Sequence, residues 1–153
     1  MAPSEPVEAK RKFFTVEGAN KALPLVRAIV GDVVRQFQVV EELRQRLRAV
    51  TAGRRKAVDD VYSEELAQSQ AEMEAEEAKL VGYIGELTEL GVELKGPDGL
   101  CDFPSLIGGR EVFLCWRLGE PSIQHWHEID AGVAGRQPLS TAGLPGHIAH
   151  TGP

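Results

Sequence analysis

The apolar residues of this chain recur at steps of three and four from Leu25 to Val50, return at helical spacing with gaps from Tyr62 to Leu90, and alternate at every second position afterwards. That order of periods leaves few folds open. Spacing near 3.6 marks an amphipathic helix, and spacing of 2 marks a half-buried strand. In the first stretch Leu25, Ile29, Val33, Phe37, Val40, Leu43, Leu47 and Val50 form one stripe. An unbroken helix of that length is a rod of about 40 Å at 1.5 Å per residue. Thr51-Ala52-Gly53 is its first stop signal, with Gly53 suited to the left-handed position after a helix. A second stripe runs through Tyr62, Leu66, Met73, Leu80, Ile84, Leu87 and Leu90 and ends at Gly91. Two long amphipathic helices joined by a short link fold back on each other as an antiparallel, coiled-coil-like hairpin.

Charge supports this pairing. Residues 10–56 carry twelve Lys and Arg against four Asp and Glu, about +8, whereas residues 59–90 carry ten Asp and Glu against Lys79 alone, about −9. Each arm repels itself and the pair neutralises, so charge favours one orientation, as flanking charges do in coiled coils. The middle of the second stripe is thin. Ser69 or Gln70, and then Glu76 or Glu77, stand where a seam wants apolar bulk. A second copy of the chain, giving a helical-bundle homodimer, or another protein partner would complete the cover.

The helix start is legible too. Phe13 and Phe14 lead into Thr15, a suitable N-cap, and Glu17 lies in the first turn, where a carboxylate suits the helix dipole. Val16 to Leu23 is the first helical segment. Pro24 then kinks the helix or restarts it.

Past Gly91 the chain reads as a small antiparallel meander. Val92 and Leu94 form one strand, Gly96-Pro97-Asp98-Gly99 a turn, Leu100 to Phe103 a second strand, and Pro104 to Gly109 a loop. Arg110 to Trp116 is the clearest strand, with Val112, Leu114 and Trp116 on one face and Phe113, Cys115 and Arg117 on the other. Gly119-Glu120-Pro121-Ser122 turns the chain into a last strand, Ile123 to His127. The expected class is therefore α+β: a helical hairpin (about 15–90), a β-meander (about 92–128) packed on one end of it, and a C-terminal loop (129–139). Residues 1–11 and the stretch from Ser140 to Pro153 lack periodicity and are expected to be disordered.

Several function classes lose support. The net charge of −6 argues against a general nucleic-acid binder. No apolar run reaches the roughly 18 residues of a membrane span, and the first residues hold no apolar signal core. Cys101 and Cys115 make no disulfide framework, so a reducing cytoplasm is the expected compartment. No phosphate loop, dinucleotide fingerprint or nucleophile elbow is present. An enzymatic role is therefore less expected than a binding one.

Candidate chemistry gathers near the end of the meander. His125 and His127 lie two apart on a strand and point the same way, so both can reach one metal ion, with Asp130 as an oxygen ligand. Such a two-His, one-carboxylate set would suit Zn or Fe and leave positions open. The plainer alternative is that His127 and Asp130 hold loop backbone that lacks ladder partners. Arg136, in a Gly-rich segment, can clamp a carboxylate or phosphate, or lock the loop by pairing with Asp130 or Glu128. His127, Glu128, Asp130 and Arg136 are thus the candidate ligand site. Cys115, beside Phe113, reads as a buried inert thiol. The hairpin tip, with Arg54 and Arg55 against Asp59 and Asp60, is a candidate partner site. In outline the layout is similar to bacterial transcript-cleavage factors of the Gre type, so a transcription- or ribosome-associated role through that tip is an alternative, although the tip residues do not match theirs.

The strings Cys101-Asp-Phe-Pro-Ser105, Gly109-Arg-Glu-Val-Phe-Leu-Cys-Trp-Arg-Leu-Gly-Glu-Pro121 and Trp126-His-Glu-Ile-Asp-Ala-Gly-Val-Ala-Gly-Arg-Gln-Pro138 resemble one prokaryotic family, domain of unknown function 2203. The opening Phe14-Thr-Val-Glu-Gly-Ala-Asn-Lys-Ala-Leu-Pro24 resembles the start of that family, except that Gly18 stands where its members often carry Glu. The resemblance covers roughly residues 13–139. It implies the hairpin-plus-sheet layout and a bacterial origin, and it carries no activity with it.

Overall fold

The computed structural model describes residues 12–54 and 60–139. Helix α1 spans Val16–Arg54 and α2 spans Asp60–Glu89. Five strands follow: β1 (Glu93–Leu94), β2 (Leu100–Ile107), β3 (Arg110–Arg117), β4 (His125–Glu128) and β5 (Gln137–Pro138), with a short 3₁₀ turn at Val133–Gly135. They form one antiparallel sheet in the order β1-β2-β3-β4-β5. The class is α+β, a helical hairpin followed by a β-meander.

Both ends of the helical region are set by local chemistry. The Thr15 hydroxyl oxygen accepts the Gly18 N–H at 2.9 Å, satisfying one of the orphan donors of the first turn. At the far end Gly91 takes φ +90°, its N–H bonds the Thr88 carbonyl at 2.9 Å, and the Val92 N–H reaches back to Leu87 at 3.3 Å. That is a Schellman closure, and Leu87 and Val92, the two positions such a closure brings together, are both buried in the core.

Pro24 neither stops nor restarts α1; the helix runs through it. Its ring costs one backbone hydrogen bond and about 3 kcal/mol. Leu23, Val26, Ile29, Val30 and Val33 are all buried on the helix face around it. Each buried apolar side chain contributes about 1.5–3 kcal/mol, so tertiary packing outweighs the local penalty.

The loop expected at 104–109 is also shorter than the composition suggests. Strand β2 continues through Pro104 to Ile107, and Gly108 and Gly109 alone make the turn, both at positive φ (61° and 82°). Two consecutive positive-φ residues are what a tight type I′ hairpin needs. Pro104 is tolerated because β1 ends before reaching it. There the strand edge faces Phe14, whose N–H donates to the Pro104 carbonyl at 2.7 Å. The Ser105 hydroxyl donates to the Phe14 carbonyl at 2.6 Å, and the Phe14 ring meets Phe103 edge-on at 5.2 Å.

One face of the sheet, with Cys101, Phe103, Val112, Leu114, Trp116 and Trp126, joins Ala19 to Val33 of α1 and Leu87 of α2 in a single core. The hairpin extends beyond that base. Among the described residues between 41 and 79, no side chain of either helix is buried.

Candidate functional site

The two-residue turn fixes the register of β2 against β3, and the other pairings extend it across the sheet. Glu93, Asp102, Cys115, His125 and Pro138 therefore stand in one cross-strand row, with Pro104, Phe113 and His127 beside it. Strand parity puts these side chains on the face away from the helices. That face is not solvated at its centre: Cys115, His127 and Asp102 are 0%, 2% and 4% exposed.

His127 is held at both ring nitrogens. Its Nδ1 lies 2.7 Å from the Glu128 carbonyl oxygen, and its Nε2 lies 3.0 Å from Asp102 Oδ1. A carbonyl can only accept, so Nδ1 carries the hydrogen and donates it. One further proton then lies between Nε2 and Asp102. Burial pushes the Asp102 carboxyl up, and the His127 hydrogen bond opposes that shift. Burial also pushes the Cys115 thiol up, against the pull of the nearby Arg136 charge. The ligand atoms of Asp102, Cys115 and His127 lie within 4.8 Å of one another, the one such trio of His, Cys, Asp or Glu among the described residues.

The structure separates the residues singled out from sequence. His127 is in this buried cluster. His125 shares its face and is half-buried with no hydrogen-bond partner for Nδ1. Asp130 is exposed and forms no metal-ligand group with the two histidines. Glu128 pairs with Arg110 across the strand pair, not with Arg136. Arg136 instead reaches Glu120 Oε1 at 2.5 Å and the Cys115 carbonyl at 3.4 Å. Burial raises the Glu120 carboxyl, but the Arg136 hydrogen bond, the Arg117 N–H and the Arg136 charge outweigh it and hold it below its ordinary value. Arg136 therefore pairs with Glu120 in the turn after β3, in place of Asp130 or Glu128.

Cys101 and Cys115 are on adjacent strands but opposite faces, so they cannot share a ligand. Cys101 packs in the helix-facing core, where burial pushes its thiol up to about 12. Both cysteines are free. At the tip, Arg55 and Asp59 lie outside the described residues, as do the side chains of Arg54 and Asp60 and the two termini expected to be disordered. Asp102 and the polar surroundings of Cys115 escaped the sequence reading. The signal was an Asp inside an apolar strand, where acidic residues are disfavoured. Counting back from Gly108-Gly109 pairs it with Cys115.

The other feature with functional potential is the side of the hairpin. A groove of about 910 Å³ is lined by Phe37, Val40, Glu77, Leu80, Val81 and Pro97 among others. A smaller one of about 120 Å³ lies farther out between Leu43, Leu47, Val50 and Leu66. Across the seam Gln36 donates to the Glu76 carboxylate at 2.6 Å and Arg44 to Glu77 at 3.3 Å. The two glutamates expected to weaken the seam are thus spent on polar cross-links, while Ser69 and Gln70 face solvent.

A helical hairpin seated on a five-stranded antiparallel meander, with a buried Asp-Cys-His knot on the far face, defines the architecture. The chain belongs to the family domain of unknown function 2203, described as an uncharacterized conserved protein, whose profile matches residues 12–139. No curated protein and no solved structure matches the chain. No described helix is long and apolar enough to cross a membrane.

Proposed function

We propose that this protein acts as a self-associating module in which two copies pair through the outer halves of their hairpins. The observation that carries the reading is the incomplete burial of the apolar stripe. Between residues 41 and 79 the described side chains of both helices are at most half-buried, with Val50 42% exposed, and Val81, in the groove at the inner end of that stretch, is 69% exposed. Two helices have no third surface to close such a seam, whereas a four-helix arrangement does. Covering the remaining surface of Leu47, Val50, Leu66 and Val81 adds on the order of 1 kcal/mol each.

Charge favours a second copy as the occupant. The arms are oppositely charged, yet Arg44–Glu77 is the one ion pair crossing between them among the described residues. The described pairs Arg35–Asp32, Arg44–Glu41 and Lys79–Glu76 stay within one helix. A twofold arrangement sets the acidic arm of each copy against the basic arm of the other. Light scattering coupled to gel filtration tests this: a dimer is expected at tens of micromolar, converted to monomer by Val81→Glu. A parent chain that stays monomeric, or a Val81→Glu dimer as tight as the parent, refutes it.

A further inference from the structure

We propose that Asp102, Cys115 and His127 form a buried site for a borderline divalent transition metal of the zinc class, with His127 Nε2, Cys115 Sγ and one Asp102 carboxylate oxygen as the protein ligands. Three donor types converge from three adjacent strands, and their ligand atoms lie within 4.8 Å of one another. Ligands of a tetrahedral ion stand about 3.3–3.6 Å apart at metal–ligand distances of about 2.0–2.3 Å. The present Asp102–His127 separation of 3.0 Å therefore needs to widen by only a few tenths of an ångström. A thiolate beside an imidazole excludes calcium and magnesium, which take oxygen ligands.

The surroundings match what a metal-bound histidine requires. The Glu128 carbonyl accepts the Nδ1 hydrogen of His127 at 2.7 Å, which fixes the ring with Nε2 toward Asp102. Metal-ligating histidines make this outer hydrogen bond almost always, and it raises ligand basicity. Phe113 packs against the imidazole with ring centroids 5.5 Å apart and limits its rotation. These ligands hang on strands of one hydrogen-bonded sheet, so their spacing is fixed by register and not by a loop.

Charge balance supports the same occupant. Without metal the cluster holds the Cys115 thiol proton and the proton between Asp102 and His127. Binding a divalent ion displaces both, and about two protons leave for each ion that enters. The exchange leaves the net charge of the buried cluster unchanged, which avoids the large cost of placing uncompensated charge in a dry interior. Neither Asp130 nor His125 takes part.

The test is titration of Co²⁺ and Zn²⁺ into the chelator-treated full chain. One Co²⁺ per chain is expected, with thiolate-to-cobalt charge-transfer absorption in the near ultraviolet, displaced by Zn²⁺. Calorimetry in buffers of different ionisation enthalpy should report about two protons released. Cys115→Ser should abolish the charge-transfer band, and Asp102→Asn should weaken Zn²⁺ at least about tenfold. Cys101→Ser and the His125→Gln/Asp130→Asn pair should leave both unchanged. Absence of the band in the parent, its survival in folded Cys115→Ser, or its loss in Cys101→Ser overturns the assignment. If Cys115→Ser does not fold, Asp102→Asn decides: unchanged Zn²⁺ affinity overturns the assignment.

Discussion

Two substitutions at the outer face separate a stabilising charge pair from a buried charge that is merely tolerated. His127→Ala removes the partner that Asp102 meets at 3.0 Å, at a site where the two side chains are 2% and 5% exposed. The carboxyl is then buried without its partner, which costs about 3–5 kcal/mol. Asp102→Asn keeps the volume and supplies an N–H to His127 Nε2, while Nδ1 keeps its bond to the Glu128 carbonyl. Every polar atom of the pair stays satisfied, and replacing a buried charged pair by neutral groups is often neutral or better. The change should therefore cost less than about 1 kcal/mol. The two variants should differ by at least about 2 kcal/mol, or on the order of 4–8 °C in midpoint for a chain of this size. The assay is urea unfolding followed by circular dichroism, with chelator present and slopes compared to check that both variants unfold from the same compact state. The double variant should be no worse than His127→Ala alone, because the charge it would strand has gone. If Asp102→Asn costs as much as His127→Ala, the ionic form of the pair is itself stabilising and the reasoning fails.

Three further outcomes follow from the same structure. Glu120 is held below its ordinary value of 4.5, so its contribution is present in full above that pH and is lost as pH falls through the lower, folded value. Glu120→Gln should cost about 1.5–3 kcal/mol at pH 7 and flatten the acid limb of a stability–pH profile measured by urea midpoints; an unchanged limb would contradict the assigned pairing with Arg136. Gly99→Ala should destabilise by about 2 kcal/mol or more in thermal unfolding, because Gly99 has φ +94° and a Cβ would lie 2.7 Å from Leu118 Cβ and 3.1 Å from Val30 Cγ1. Ser105→Ala should cost about 1–3 kcal/mol, since the buried hydroxyl is the donor to the Phe14 carbonyl at 2.6 Å; hydrogen exchange of the Phe14 amide should speed up with it.

Periodicity alone determined the larger part of this molecule. The helical stripes, the cap at Thr15, the stop at Gly91 and the strand parity of Phe113 and Cys115 against Leu114 and Trp116 are all local patterns. A local pattern reports which side of an element is apolar, because that depends only on neighbours a few residues away. Tertiary structure decided the rest. It carried α1 through Pro24, since the packing of Val26, Ile29 and Val30 is a sum over distant partners. It extended β2 to Ile107 and added β5, a two-residue strand too short to leave a periodic trace. It gave Arg136 to Glu120 in place of the acidic residues nearest to it in sequence. Above all, it placed Asp102 opposite Cys115 and beside His127. Registers of whole strands set that meeting, and a shift of one residue would have sent each side chain to the other face of the sheet.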